Sequence, residues 1–78
     1  MARLKDPDRE QSLGEFVRSR RTANGLTQKK LGELAGVGTR LVVELEHDKP
    51  TLRMARVNLV LAVFGKRLGV VERAPEEE

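Results

Sequence analysis

The stretch Leu26–Pro50, LTQKKLGELAGVGTRLVVELEHDKP, carries two short apolar stripes on either side of a glycine-containing turn. Thr27 stands where a helix N-cap is needed. Leu31, Leu34 and Ala35 follow at helical spacing, which predicts a helix over 28–35 that buries those three. Gly36 ends it, because glycine takes the left-handed closing conformation without strain. Gly38 or Thr39 opens a second helix, which runs to about Glu46 and buries Val42 and Leu45. Lys49-Pro50 breaks the chain, since the residue before proline is pushed out of the helical region.

Outward from this pair, Ser12 and Glu15 have the Ser-x-x-Glu spacing of a capping box, with Asp6 or Asp8 beside Pro7 as earlier possible starts. The helix that follows runs to Asn24, with Leu13, Phe16, Val17 and Arg21 on one face, and Asn24-Gly25 stops it. Beyond Pro50, Thr51 is a cap for a helix over 52–64 that Gly65 ends. Val57, Val60, Leu61 and Phe64 form its core face, which leaves Leu59, Ala62 and Val63 over. KRLGVVER (66–73) alternates roughly, Leu68 and Val70 against Val71, and two glycines weigh against helix, so a strand is expected over 67–73. A lone strand in a helical chain has an unpaired edge. The economical partner is the same strand of a second subunit, with Leu59, Val63, Leu68, Val70 and Val71 at the dimer interface. The expectation is an all-α bundle of four to five helices with a short C-terminal β-strand pairing across a dimer. It divides into an N-terminal arm (1–8), a helical domain (9–65), the dimerisation strand (66–73) and an acidic tail (74–78).

Composition narrows the function. A chain of 78 residues is one domain at most, and a domain this small buries only about 60% of its unfolded surface. With no cysteine and one histidine (His47), neither disulfides nor a metal cluster supplements that core. Fifteen Lys and Arg face twelve acids, a net +3; setting aside Glu76–Glu78 leaves nine acids and +6. The cations are grouped as Arg18, Arg20 and Arg21, then Lys29 and Lys30, then Lys66 and Arg67, a pattern that suits a polyanion and equally a solvated surface. Two Phe and no Tyr or Trp leave no stacking platform, which favours duplex DNA over RNA or single strands. No apolar run approaches the roughly 20 residues that span a bilayer. The N-terminus lacks the apolar core of a signal peptide, so a cytoplasmic protein is expected. There is no nucleophile–base pair, no set of paired carboxylates in an apolar setting and no glycine-rich phosphate loop, so neither an enzyme nor a cofactor is expected.

Two helices joined by so brief a turn have the layout of a helix-turn-helix. Its first helix crosses the DNA backbone, and its second enters the major groove by its N-terminal residues. Thr27 and Gln28 sit at the N-terminus of the first, where unpaired N–H groups and the helix dipole favour a phosphate, and Lys29 and Lys30 lie on the same turn. Thr39 and Arg40 open the second and would face base edges, Arg40 as a bidentate guanine contact. Glu44 could accept from a cytosine amino group or simply be solvated, the latter favoured by its charge near phosphates. The tail APEEE reads more readily as a solvating terminus than as a partner motif.

These residues resemble the cro/C1-type (Xre) helix-turn-helix proteins. LTQKKLGELAGV followed by ELEHDKPT is similar to their T-Q-x-x-L-A pattern, small-residue turn and L-E-x-G-K ending. LGEFVRSRRTANGLTQ and the ending KRLGVVER are similar to the HipB-type antitoxins, partners of HipA-like Ser/Thr kinase toxins; the likeness covers residues 12 to 73. The resemblance implies a lambda-repressor-like bundle and an ion pair between Arg21 and Glu46, and it adds Lys49 to the phosphate contacts. It departs at Gly32, where alanine is usual at a helix-propensity difference of about 1 kcal/mol, and at His47-Asp48. The function it implies is a homodimeric repressor of double-stranded operator DNA, the HipB-like antitoxin of a type II toxin-antitoxin operon that regulates its own operon and neutralises a HipA-like kinase. The alternative is a phage-type or restriction-modification controller repressor with no toxin partner.

Overall fold

The computed structural model describes residues 11–73. The arm expected over 1–8 and the tail over 74–78 lie outside the described residues, as do Asp6 and Asp8. Four helices follow one another: α1 (Leu13–Ala23), α2 (Gln28–Ala35), α3 (Thr39–Glu46) and α4 (Met54–Ala62). Helix α3 packs against α1 and α2, and α2 also against α4. Val17, Leu31, Ala35, Val42, Leu45, Val57, Val60 and Leu61 form the buried core, one or more from every helix. Phe16, Leu26, Val37, Leu41, Leu52, Val63, Phe64 and Leu68 pack around it. Each fully buried side chain of this kind stabilises the fold by about 1.5–3 kcal/mol relative to exposure.

Local signals set the helix ends. The capping box is formed: Ser12 Oγ accepts from the Glu15 N–H at 3.1 Å, and the Ser12 N–H donates to Glu15 Oε1 at 3.0 Å. Thr27 Oγ1 accepts from the Lys30 N–H at 3.0 Å and Gly36 closes α2 at φ +78°. Gly38 is the N-cap of α3, and its missing side chain leaves that helix start without a side-chain hydrogen bond.

Several expectations need correction. Leu34 is 53% exposed, not buried. Over the two turns of α2 the inward side is set by Leu31, Gly32 and Ala35, and residue 34 falls about a quarter-turn from the centre of that stripe. Gly32 is no mere weak helix former: a Cβ there would lie 2.9 Å from the Val37 carbonyl oxygen, so the close α2–α3 turn requires glycine. Helix α4 is shorter than 52–64. Thr51 lies in the preceding turn, Leu52 packs on the core in extended chain, and Arg53 is the N-cap without a side-chain bond. At the other end Val63 and Phe64 bond back three residues, to Val60 and Leu61, so the helix tightens before Gly65 turns it at φ +71°.

Residues 66–73 show no regular secondary structure. Leu68 packs on the chain's own core, and its N–H donates to Asn58 Oδ1 at 2.7 Å. Val63 is likewise half-buried on the same core. Of the five side chains expected at a subunit interface, these two are engaged at home. Leu59, Val70 and Val71 are 46%, 100% and 84% exposed.

Candidate nucleic-acid interface

The helix-turn-helix is held at its inner end by one polar network. Arg21, closing α1, donates through Nε to Glu46 Oε2 at 2.6 Å and through Nη2 to Glu46 Oε1 at 3.1 Å. Its Nη1 donates to the Leu26 carbonyl at 2.9 Å, and Gln28 Nε2 adds a bond to Glu46 Oε1 at 3.1 Å. The side chains are 13% and 3% exposed, so this is a mostly buried, bidentate pair, supplemented by the bonds from Arg21 to Leu26 and from Gln28 to Glu46. The Glu46 hydrogen bond raises the Arg21 guanidinium further above its ordinary value, against burial, which lowers it; the nearby carboxylate charge adds to the rise. The network ties the end of α1, the α1–α2 loop, the start of α2 and the end of α3 into one frame.

A second latch was not anticipated. Asp48 sits at φ +59°, and its carboxylate accepts from Ser12 Oγ and from the Gly14 N–H, both at 2.7 Å. It therefore caps α1 from the turn that follows α3, where a negative charge meets the positive end of the helix dipole. Gly14 makes this approach possible, since a Cβ there would lie 2.6 Å and 2.7 Å from the Leu45 and Glu46 carbonyl oxygens. The sequence carried a trace of this in aspartate's tolerance of left-handed backbone. A partner 36 positions away left no local signal.

On this frame the expected contact residues fall into two groups. Thr27 and Gln28 line a concavity of about 500 Å³ together with Arg18, Arg21, Leu26, Glu46 and His47. Lys29 and Lys30 are exposed on the same turn, Lys30 within 3.9 Å of Glu33. Gln28, expected to meet phosphate, has its amide committed to Glu46, which is a positioning contact within the chain. His47, not singled out beforehand as a contact, is exposed, with its ring Nδ1 2.9 Å from the Val43 carbonyl.

The other group is at the outward face of α3. Thr39 and Arg40 are exposed on its first turn. Arg40 Nε donates to Glu44 Oε2 at 3.1 Å, and Lys49 Nζ donates to the same oxygen at 3.3 Å. The Glu44 carboxyl is held below its ordinary range, chiefly by the Lys49 hydrogen bond and next by that of Arg40. The residue expected to read a base, one expected to meet phosphate, and the carboxylate with two possible roles thus form one cluster. Among the described residues no helix is long and apolar enough to cross a membrane.

Residues 17–71 match the model of a helix-turn-helix family. The chain is also 37% identical over 75 residues to an uncharacterized HTH-type transcriptional regulator, y4mF, of Sinorhizobium fredii (strain NBRC 101917 / NGR234). That alignment covers 96% of this chain and 92% of the relative.

Proposed function

The chain belongs to the helix-turn-helix family, and from that premise we propose that it is a sequence-specific DNA-binding transcriptional repressor. The observation that carries this reading is the outward face of α3. Thr39 and Arg40 project from the first turn of a helix whose other end is fixed by the Arg21–Glu46 network. A rigid helix presenting an exposed arginine by its N-terminal turn is what major-groove readout requires. Thr39, Arg40 and Glu44 are the base-facing residues in this reading. Thr27, Lys29, Lys30 and Lys49 are the phosphate contacts, with Gln28 acting through Glu46.

The finer reading is a homodimer on a two-fold operator, with recognition helices about 34 Å apart. The exposed apolar surface of Leu59, Val70 and Val71 supports it, and a two-fold axis would pair residues 67–73 with themselves antiparallel. Melting of the full-length dimer should then depend on protein concentration, and truncation after Gly65 should remove that dependence and weaken operator binding with every contact residue retained. Sedimentation of the full-length chain as a monomer at micromolar concentration rules this dimer out. We further propose the role of a HipB-like antitoxin of a HipA-like kinase. It rests on the likeness of LGEFVRSRR and KRLGVVER to that group. A HipA-like kinase gene next to this one, and a stable complex of the two products, are the expected findings; a phage or restriction-modification neighbourhood favours the plain repressor.

The DNA reading is tested by enriching duplexes from a random pool on the full-length protein. One sequence family should emerge, bound at least about 10³-fold more tightly than random duplex, with affinity falling steeply as salt rises. No enrichment, with salt-independent binding, rejects it.

A further inference from the structure

The cluster on the outer face of α3 has an arrangement that readout by Arg40 alone does not need. One carboxylate oxygen, Glu44 Oε2, receives both Arg40 Nε at 3.1 Å and Lys49 Nζ at 3.3 Å. Arg40 stands one helical turn before Glu44, and Lys49 just past the end of the helix. The Arg40 side chain is 89% exposed and that of Glu44 only 25%, so the carboxylate is the fixed element and the guanidinium the one held out from it. The bond uses Nε. Nη1 and Nη2, a fork that can meet a guanine edge in a bidentate pair, make no hydrogen bond among the described residues. A free arginine on a surface samples many rotamers and loses that freedom on binding, whereas one held at Nε has already lost part of it.

We propose that Glu44 is a positioning and discriminating residue: it holds Arg40 for base contact, and its charge weakens binding to DNA that lacks the base Arg40 reads. The inference rests on the reading of α3 as the recognition helix. The second half follows from charge. On non-cognate DNA, where affinity comes almost wholly from phosphate contacts, Arg40 and Lys49 gain most by turning to phosphates. Doing so leaves Glu44 unpaired beside a polyanion, a like-charge juxtaposition that acts against the wrong partner. On cognate DNA Arg40 keeps its Nε bond and reads with its outer nitrogens, so nothing is left unpaired. A carboxylate is charged throughout the neutral range, and its neighbours hold that of Glu44 still lower than its ordinary range.

The test measures, by fluorescence anisotropy, the ratio of affinities for enriched and random duplexes in the full-length protein and its variants. Glu44→Gln keeps an acceptor for Arg40 but removes the charge. Random-duplex binding should strengthen several-fold with a salt slope steeper by about one, while enriched-duplex binding holds. Glu44→Ala removes both, and the ratio should fall by about tenfold or more. In an Arg40→Ala background the same Glu44→Ala step should move the ratio by less than about twofold, since no guanidinium remains to be positioned. Thermal melts of the parent and all four variants exclude misfolding as the source. A ratio unchanged by Glu44→Ala, with both affinities rising together, overturns the proposal by making Glu44 a bulk charge. So does an equal change with and without Arg40. If the protein enriches no sequence at all, the parent reading fails and takes this one with it; enrichment followed by either of the other results overturns this inference alone.

Discussion

Glu44 and Glu46 stand two residues apart on the same helix, and each meets an arginine, yet they belong to different parts of the molecule. Glu46 faces inward at 3% exposure and receives donors from Arg21 and Gln28; Glu44 faces outward at 25% and receives Arg40 and Lys49. The two positions are some 200° apart around a helix, so one helix can fasten itself to the domain with one carboxylate and arrange its outer face with the other. Burial decides the difference. An ion pair shielded from water is costly to break because the survivor is stranded, whereas an exposed one is screened and contributes little to stability. The inner pair should therefore govern whether the protein folds, and the outer cluster what it binds.

The comparison breaks most visibly at Glu46. Glu46→Ala leaves the partly buried Arg21 without its carboxylate and with only the Leu26 carbonyl as a partner, and should destabilise the domain by up to about 3–5 kcal/mol. Since a domain of this size has only about 4–12 kcal/mol in total, the variant should be largely unfolded at moderate temperature by circular dichroism. A melt close to the parent's means that Arg21 finds other partners. Gly14→Ala comes next. Its new methyl meets two carbonyl oxygens at the end of α3, and urea titration should show a loss of about 1–3 kcal/mol.

Asp48 offers a finer division. Asp48→Ala loses the caps on Ser12 and Gly14 and also strains a left-handed position, for an expected loss of about 1–2 kcal/mol. Asp48→Gly relieves the backbone and should recover part of that, and a full recovery shows that the cap contributes nothing. Glu44→Ala is the smallest in stability and should leave the melting midpoint close to the parent's. Its depressed carboxyl adds a stabilising increment that is complete above the unfolded carboxyl range and is lost as pH falls through the folded value. Glu44→Gln should accordingly flatten the acid limb of the stability curve slightly.

Much of this was legible along the chain because it depends on neighbours. The capping box at Ser12, the cap at Thr27 and the stops at Gly36 and Gly65 are local chemistry, and all sit where their residue types place them. Leu34 was misread because leucine at helical spacing looks buried, while a two-turn helix has too narrow a contact to take it. Thr51 was misread as a cap because Leu52 reaches the core from extended chain and delays the helix. Asp48 and Gly14 were missed for a deeper reason: their bond joins positions 34 apart, and only the packed structure brings such residues together. On the outer face the residue types were readable, but that a single carboxylate oxygen gathers Arg40 and Lys49 was not.

The central claim, that α3 reads bases while the start of α2 holds phosphate, is tested most directly by titrating Arg40→Ala and Lys29→Ala against enriched and random duplexes over a range of salt. Arg40→Ala should lose about 1–3 kcal/mol on the enriched duplex and far less on random DNA. Lys29→Ala should weaken both alike and lower the salt slope by about one. Identical patterns for the two variants would contradict the division of the site into a reader and an anchor.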